Sequence, residues 1–113
     1  MSKISFEDIG SLMATFYADE GAGDSQVVKM TGNGTVGPCN AGDAFCGVAG
    51  TPRNGAVGVQ VGGFVKVSAT LPLSVGKVGL VADGKGGVMA GEDGITALVV
   101  DVDTVANTAV ICL

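Results

Sequence analysis

The chain of 113 residues contains no histidine and no tryptophan, and aromatic side chains make up only 4% of it. Histidine is the commonest general base and metal ligand at neutral pH, so its absence excludes Ser-His-Asp and Cys-His catalytic arrangements. Carbohydrate-binding platforms generally stack the sugar on Trp or Tyr, and this chain has a single tyrosine. The composition therefore disfavours both a histidine-dependent enzyme and an aromatic-lined sugar site.

Positive charge is also scarce. The chain has six Lys+Arg against eleven Asp+Glu, which gives a formal net charge of −5, whereas nucleic-acid binding requires a basic surface. No apolar run approaches the ~18 residues of a membrane-spanning helix, and the first residues, MSKISFEDIG, carry acids where a secretion signal has its apolar core. We therefore expect no nucleic-acid partner, no membrane partner and no secretion signal.

Small apolar residues and glycine make up much of the chain. Apolar residues account for 47% of it, mostly valine and alanine, and 20 residues are glycine. Valine buries less apolar area than leucine or phenylalanine, and glycine adds entropy to the unfolded chain. Because a domain built this way has a thin core, we expect it to associate with copies of itself.

The three cysteines match no known site pattern. Cys39 and Cys46 could close a small loop, and Cys112 lies in the last predicted strand. Without a secretion signal we expect three reduced, mostly buried thiols. Their spacing is not that of a zinc ligand set, and we predict neither a metal nor a cofactor.

No carboxylate pair or lysine is convincing as a catalytic group. Glu92 and Asp93 lie in a Gly-flanked turn, and Asp101 and Asp103 alternate onto an outer strand face, so we interpret all four as solvated acids. Val28-Lys29-Met30 is similar to the centre of biotinyl and lipoyl carrier domains, whose lysine occupies an exposed hairpin tip. Lys29 instead lies within a predicted strand, and we predict that the protein is not an enzyme.

From Asp24 onward the sequence consists of short strand-like runs separated by Gly-rich turns. The predicted strands are Ser25–Met30, Thr35–Cys39, Ala44–Val48, 56–69, Val78–Ala82, Val88–Ala90, Ile95–Val102 and Thr108–Leu113. Alternation along 95–102 places Leu98, Val100 and Val102 inward. The pattern predicts an all-β fold, a small antiparallel β-barrel or sandwich with Gly-rich turns over residues 25–113.

The run GAVGVQVGGFVKVSA at 55–69 has two interpretations, a hairpin that turns at Gly62-Gly63 or one long strand. A hairpin would place Val59 opposite Lys66 on the same face. A single strand places Val57, Val59, Val61, Val65, Val67 and Ala69 on one face, with Gln60, Phe64, Lys66 and Ser68 on the other. We therefore predict one strand, sharply bent at the glycines.

Residues 1–24 are predicted as an N-terminal arm distinct from the barrel. Ser5 and Asp8 resemble a capping box, and Ile9, Leu12, Met13 and Phe16 follow at helical spacing, so the arm is expected to contain a short helix. Two alternatives remain open. The arm either folds back as a strand and short helix that cap the barrel, or packs on a neighbouring subunit or partner.

Taken as a whole, residues 25–113 resemble the capsid decoration (cement) proteins of tailed bacteriophages, of the small β-barrel kind. The stretches that carry the resemblance are GDAFCGVAG (42–50), GAVGVQVGGFVKV (55–67), LSVGKVGLVADGKGGV (73–88) and VVDVDTVANTAVICL (99–113). It is a pattern of valines, glycines and turns rather than a catalytic signature, and it does not cover the first 24 residues.

The resemblance implies a structural protein that binds the outer surface of a mature capsid and bridges adjacent capsomers. Its partners would be the major capsid protein and copies of itself, as a trimer at three-fold points of the shell. It would be made in the host cytoplasm and reside on the virion. We expect the shell contacts at Ile4, Phe6, Ile9, Leu12, Phe16, Tyr17, Pro38, Pro52 and Arg53. The alternative is a ligand- or carbohydrate-binding module displayed on a virion.

Overall fold

The computed structural model describes residues 9–113, and every regular element in that range is a β-strand. The strands are β1 (Leu12–Ala18), β2 (Val27–Gly32), β3 (Thr35–Pro38), β4 (Gly47–Ala49), β5 (Ala56–Gly62), β6 (Phe64–Ser68), β7 (Gly76–Ala82), β8 (Val88–Ala90), β9 (Ile95–Asp103) and β10 (Thr108–Cys112). The predicted all-β fold is confirmed. The predicted strands correspond in order to β2 through β10, with the long strand 56–69 divided into β5 and β6.

The strands form two sheets. The first five close into a barrel in the order β1-β3-β2-β4-β5, and the last five form a sheet in the order β6-β10-β9-β7-β8. The paired strands are antiparallel except for β1 and β3, which are parallel. The chain passes from one sheet to the other at Gly63, between β5 and β6.

The two sheets share one pairing scheme. In the barrel, the first strand pairs with the third in parallel and with the fifth, while the fourth pairs with both the second and the fifth. The second sheet has the same pairs, and its first and third strands meet through an isolated parallel bridge between Ala69 and Val88. The halves 12–62 and 64–112 are therefore an internal structural repeat.

The two halves share a core. The barrel encloses one apolar cluster built around Val28, Val36 and Val59. Neighbouring positions on the outer face of the barrel, including Val27, belong instead to the cluster of the second sheet. Phe45, from the connection between β3 and β4, joins that second cluster and is only 2% exposed. The barrel therefore covers the second sheet with its own outer face, which makes the two halves one packed unit.

The chain bends at Gly62-Gly63 and does not form a hairpin there. β5 pairs with β1 and β4, and β6 pairs with β10, so no hairpin forms between β5 and β6. The predicted valine face is buried or half-buried along its whole length, but its first half faces the barrel core and its second half faces the other cluster. Gly63 has a φ of +85° and makes the bend.

Gln60 corrects one detail of that prediction. Alternation placed it on the outer face, yet it is 6% exposed, the one buried polar side chain among residues 9–113. Its Nε2 donates hydrogen bonds of 3.0 Å to the carbonyl oxygens of Gly62 and Phe64, on either side of Gly63. The side chain is buried because it holds the bend together.

The helical prediction for residues 9–16 is wrong, because residues 12–16 lie in β1 and Ile9 and Gly10 form a turn before it. Of the two alternatives for the N-terminal arm, the described part folds back as a strand. β1 pairs with β5 and β3 and completes the barrel, which therefore begins at residue 12, ahead of the predicted boundary at residue 25. The predicted capping box at Ser5 and Asp8 lies outside the described residues.

The inward assignment of Leu98 is also wrong. Ile111 pairs with Val99 and Val110 pairs with Asp101, so a β-bulge leaves Val100 as the extra residue. The bulge reverses the alternation within β9. Val99 is buried on the N-terminal side and Val102 packs on the core on the C-terminal side, while Leu98 is 38% exposed.

Candidate interaction surface

Large exposed apolar side chains concentrate at the start of the described chain. Ile9, Leu12, Met13 and Tyr17 are 53%, 62%, 56% and 71% exposed, respectively. We call these four residues the apolar strip. Antiparallel sheets commonly present polar side chains on the face away from the core, and a group of exposed apolar side chains indicates an interaction surface.

Alternation along β1 accounts for Met13 and Tyr17, whereas Leu12 lies at the irregularity in the pairing with β5, and Ile9 precedes the strand. Phe16 and Ala18 face inward and pack on the barrel core, while Met13, Thr15 and Tyr17 face outward. The neighbouring strand β5 offers little cover, because Gly58, which has no side chain, pairs with Thr15 and lies next to the Met13 methyl group. The outer face of β1 is therefore accessible and uncharged, with Met13 and Tyr17 on either side of Thr15.

The predicted contact residues in the N-terminal segment differ in their exposure. Ile9, Leu12 and Tyr17 are exposed members of the strip. Phe16 is half-buried and packs on the barrel core, so it is not part of the exposed strip, and its shell contact stays a prediction. Ile4 and Phe6 lie outside the described residues. Met13 is exposed but is not among the predicted contact residues, and a strand period would have grouped it with Thr15 and Tyr17.

The predicted loop residues lie at the end of the barrel where β1 finishes. Pro38, Pro52 and Arg53 are all exposed. Arg53 begins the tight turn that pairs it with Ala56, and Ala56 lies opposite Tyr17 in the sheet. These loops therefore adjoin the Tyr17 end of the apolar strip, whereas Leu12 lies at the start of β1, about 17 Å away at the usual rise per residue of a strand.

Acidic groups follow directly on the strip. Asp19 and Glu20 are exposed and continue the chain from β1. The Asp19 carboxylate accepts a 2.5 Å hydrogen bond from the Thr31 hydroxyl, which holds it beside β2. Residues 12–18 themselves carry no charge. The surface is thus an uncharged apolar strand with a negative end.

Lys29 lies in β2 and not at a hairpin tip, which is formed by Asn33 and Gly34. Its Nζ forms a 2.6 Å salt bridge with the Asp43 carboxylate, which also accepts a hydrogen bond from the Asn40 amide. The hydrogen bond between the two side chains is the main reason that the pKa of Lys29 is raised and that of Asp43 is lowered. The lysine therefore fixes the loop between β3 and β4.

All three cysteines are free and half-buried. Burial, with a smaller contribution from the Asp43 charge, raises the pKa of the Cys39 thiol from 9.0 to about 11. Burial also raises the pKa of Cys46. The unpaired state agrees with the sequence-based prediction, whereas the burial of these residues is only partial.

Cys39 is expected to react with iodoacetamide at pH 8 about 100-fold more slowly in the folded protein than in urea, because only the thiolate attacks and its fraction falls about tenfold per pKa unit. Peptide mass spectrometry after timed quenching would measure both rates for the same residue. Equal rates in the folded and unfolded protein would show that Cys39 is not shielded as the structure indicates.

An open cleft of about 460 Å³ lies on the second sheet. Its lining residues are Ser68, Ala69, Thr70, Leu71, Asp83, Lys85, Ala106 and Asn107. The Asp83 carboxylate is already occupied by the Thr70 hydroxyl and by the Lys85 and Gly87 amides. None of the lining residues is aromatic, so the cleft offers no stacking platform for a sugar.

Neither a protein-family model nor a curated protein matched the chain. Over residues 9–113, no cluster of three or more Cys, Asp or Glu side chains is arranged to hold a metal ion. The same part of the chain contains no helix long and apolar enough to cross a membrane. The apolar strip is therefore the best-defined candidate site.

Proposed function

We propose that this protein is a structural virion protein of a tailed bacteriophage, which binds the outer surface of the mature capsid and stabilises it by bridging adjacent capsomers. The observation that supports the proposal most directly is the apolar strip, exposed along β1 and just before it. An uncharged apolar strip on a rigid body is suited to binding another protein surface. The partner in this proposal is the major capsid protein.

The proposed mechanism is thermodynamic linkage. A protein that binds only the expanded shell stabilises that state by about 2.7 kcal/mol per site when its free concentration is 100 times its Kd. Repetition of the site over an icosahedral shell multiplies the effect, and a protein that touches two capsomers at once gains further from high effective concentration. No chemical step is needed.

The proposal includes self-association, with three copies at a three-fold point of the shell. A thin valine-rich core and exposed apolar side chains both favour an assembly that buries more surface. In a closed ring of three, every copy uses both of its self-association surfaces, so no further copy can add. Analytical ultracentrifugation of the free protein, and of protein released from shells, would report the number of copies.

Co-sedimentation with expanded heads of its own phage tests the proposed function. Met13→Asp is expected to weaken shell binding by about 10- to 100-fold. The reason is that burying a methionine side chain contributes about 1.5–3 kcal/mol and each 1.4 kcal/mol corresponds to a factor of ten. Sedimentation of the wild-type protein and the variant over a concentration series gives both affinities.

Val105→Asp is the matched control, since Val105 is 92% exposed in the turn between β9 and β10, which belongs to the half of the chain that forms the second sheet. This variant carries the same charge change and should bind as the wild type does. If the wild-type protein stays in the supernatant with expanded heads, the proposed function is wrong.

A further inference from the structure

β1 is paired very unequally along its two edges. One edge pairs with β5 from Leu12 to Tyr17, with one irregularity next to Leu12. The other edge meets β3 only at Tyr17 and Ala18. Over residues 12–16, the edge that faces away from β5 therefore has no strand partner within the part of the chain that the structure describes. We call it the open edge.

The hydrogen bonds at the end of β1 show which backbone groups point to each edge. The Ala18 amide donates to the Gly55 carbonyl on the β5 side at 2.9 Å, and the Tyr17 amide donates to the Gly34 carbonyl on the β3 side at 2.8 Å. Backbone groups alternate along a strand. The N–H and C=O groups of Met13 and Thr15 therefore point to the open edge, while those of Ala14 and Phe16 point to β5.

We propose that the open edge accepts an extended segment of the capsid protein as an added β-strand. This inference rests on the proposed function and specifies how the shell is bound. A row of unpaired N–H and C=O groups is satisfied by another extended backbone, and strand addition is an established mode of peptide recognition. Neither a small ligand nor a flat protein surface would pair with alternating groups in this way.

The side chains around the open edge define the chemistry of the added segment. Residues 12–18 carry no charge, and Met13 and Tyr17 project on the outer face. The added segment should therefore carry apolar side chains at every second position, where they pack beside Met13 and Tyr17. Asp19 and Glu20 at the end of β1 favour a lysine or arginine at the adjoining end of the segment. A second copy of this chain would offer the same uncharged edge, without that cation.

Thr15→Pro tests the inference directly. Proline removes the N–H that points to the open edge, whereas the hydrogen bonds to β5 come from Ala14 and Phe16 and remain. The variant is expected to keep its fold and to bind expanded heads about tenfold more weakly or worse, since it loses one hydrogen bond and places a ring against the added strand. Thr15→Val keeps the N–H and should bind as the wild type does.

Hydrogen exchange of the wild-type protein gives a second readout that does not depend on the fold of a variant. The Ala14 and Phe16 amides should exchange slowly with and without shells. The Met13 and Thr15 amides should exchange rapidly in the free protein and at least tenfold more slowly on the shell. Mass spectrometry with fragmentation to single residues resolves these four amides.

The outcomes separate the two proposals. If the wild-type protein does not bind heads, both the proposed function and the strand addition are wrong. If it binds, but Thr15→Pro binds equally well and the Met13 and Thr15 amides gain no protection, the strand addition is wrong and the proposed function stands. Protection that rises with concentration in the free protein would instead assign the open edge to a second copy, and would also overturn the inference.

Discussion

Replacing Phe45 with alanine is expected to destabilise the folded protein by about 3–5 kcal/mol, the usual range for a buried phenylalanine. Phe45 is 2% exposed and belongs to the apolar cluster under the second sheet, although the chain places it in the barrel half. The chain has only five aromatic residues, four Phe and one Tyr. The valines around Phe45 are too short to fill the cavity that its removal would leave.

Urea unfolding would measure the effect as a lower midpoint at an unchanged slope. Phe45→Leu retains most of the volume and is expected to cost less than about 1.5 kcal/mol. Val105→Ala removes a side chain that is 92% exposed, and should stay within about 0.5 kcal/mol of the wild type. A Phe45→Ala protein as stable as Val105→Ala would show that the two halves do not share a core at this position.

Gly63→Ala is expected to destabilise the protein by about 2–5 kcal/mol, the sum of two effects. A left-handed backbone is unfavourable by about 1–2 kcal/mol for a residue with a Cβ, and Gly63 has a φ of +85°. In addition, the new Cβ would overlap the Gly10 carbonyl, and forced overlap of this kind costs about 1–3 kcal/mol. The strained position is the bend at which the chain leaves the barrel for the second sheet.

Gly62→Ala is the matched control at the adjacent residue. Its Cβ would lie 3.3 Å from the Leu12 Cβ, a tight contact that a small shift can relieve, and we expect a change below about 1 kcal/mol. Thermal or urea unfolding of the two variants would show the difference. If the two substitutions were equally harmful, the bend would not depend on the left-handed conformation of Gly63.

Strand content could be predicted from local pattern because a strand needs only alternation and flanking turn residues. The stretch 88–90 is predicted and observed with the same limits. The long run through Gly62-Gly63 was likewise recognisable, because a hairpin would have mixed Val59 and Lys66 on one face. The internal repeat left only a faint trace, an Asn-x-Ala-Val sequence at Asn54 and at Asn107, both of which have positive φ.

The candidate site was predicted in part. The N-terminal segment is a candidate from sequence because it holds most of the large apolar side chains outside the predicted strands. The sequence did not show that this segment is a strand. The spacing of its apolar residues fits a helical period as well as an irregular strand, as it does for Ile9, Leu12, Met13 and Phe16. Only pairing with β5 selects the strand, and that pairing places Phe16 inward and Met13 outward.

The sequence by itself determined the class of the protein: a sheet-forming chain without histidine, with little aromatic bulk and with a negative charge. These properties follow from composition and from the period of two, which are local. The tertiary structure alone decided that β1 belongs to the barrel, that Gln60 is buried at the bend and that a bulge at Val100 reverses β9. It also decided that the open edge of β1 has no strand partner among residues 9–113. Each of these depends on which strands meet and in what register, and register is set by contacts between residues far apart in the chain.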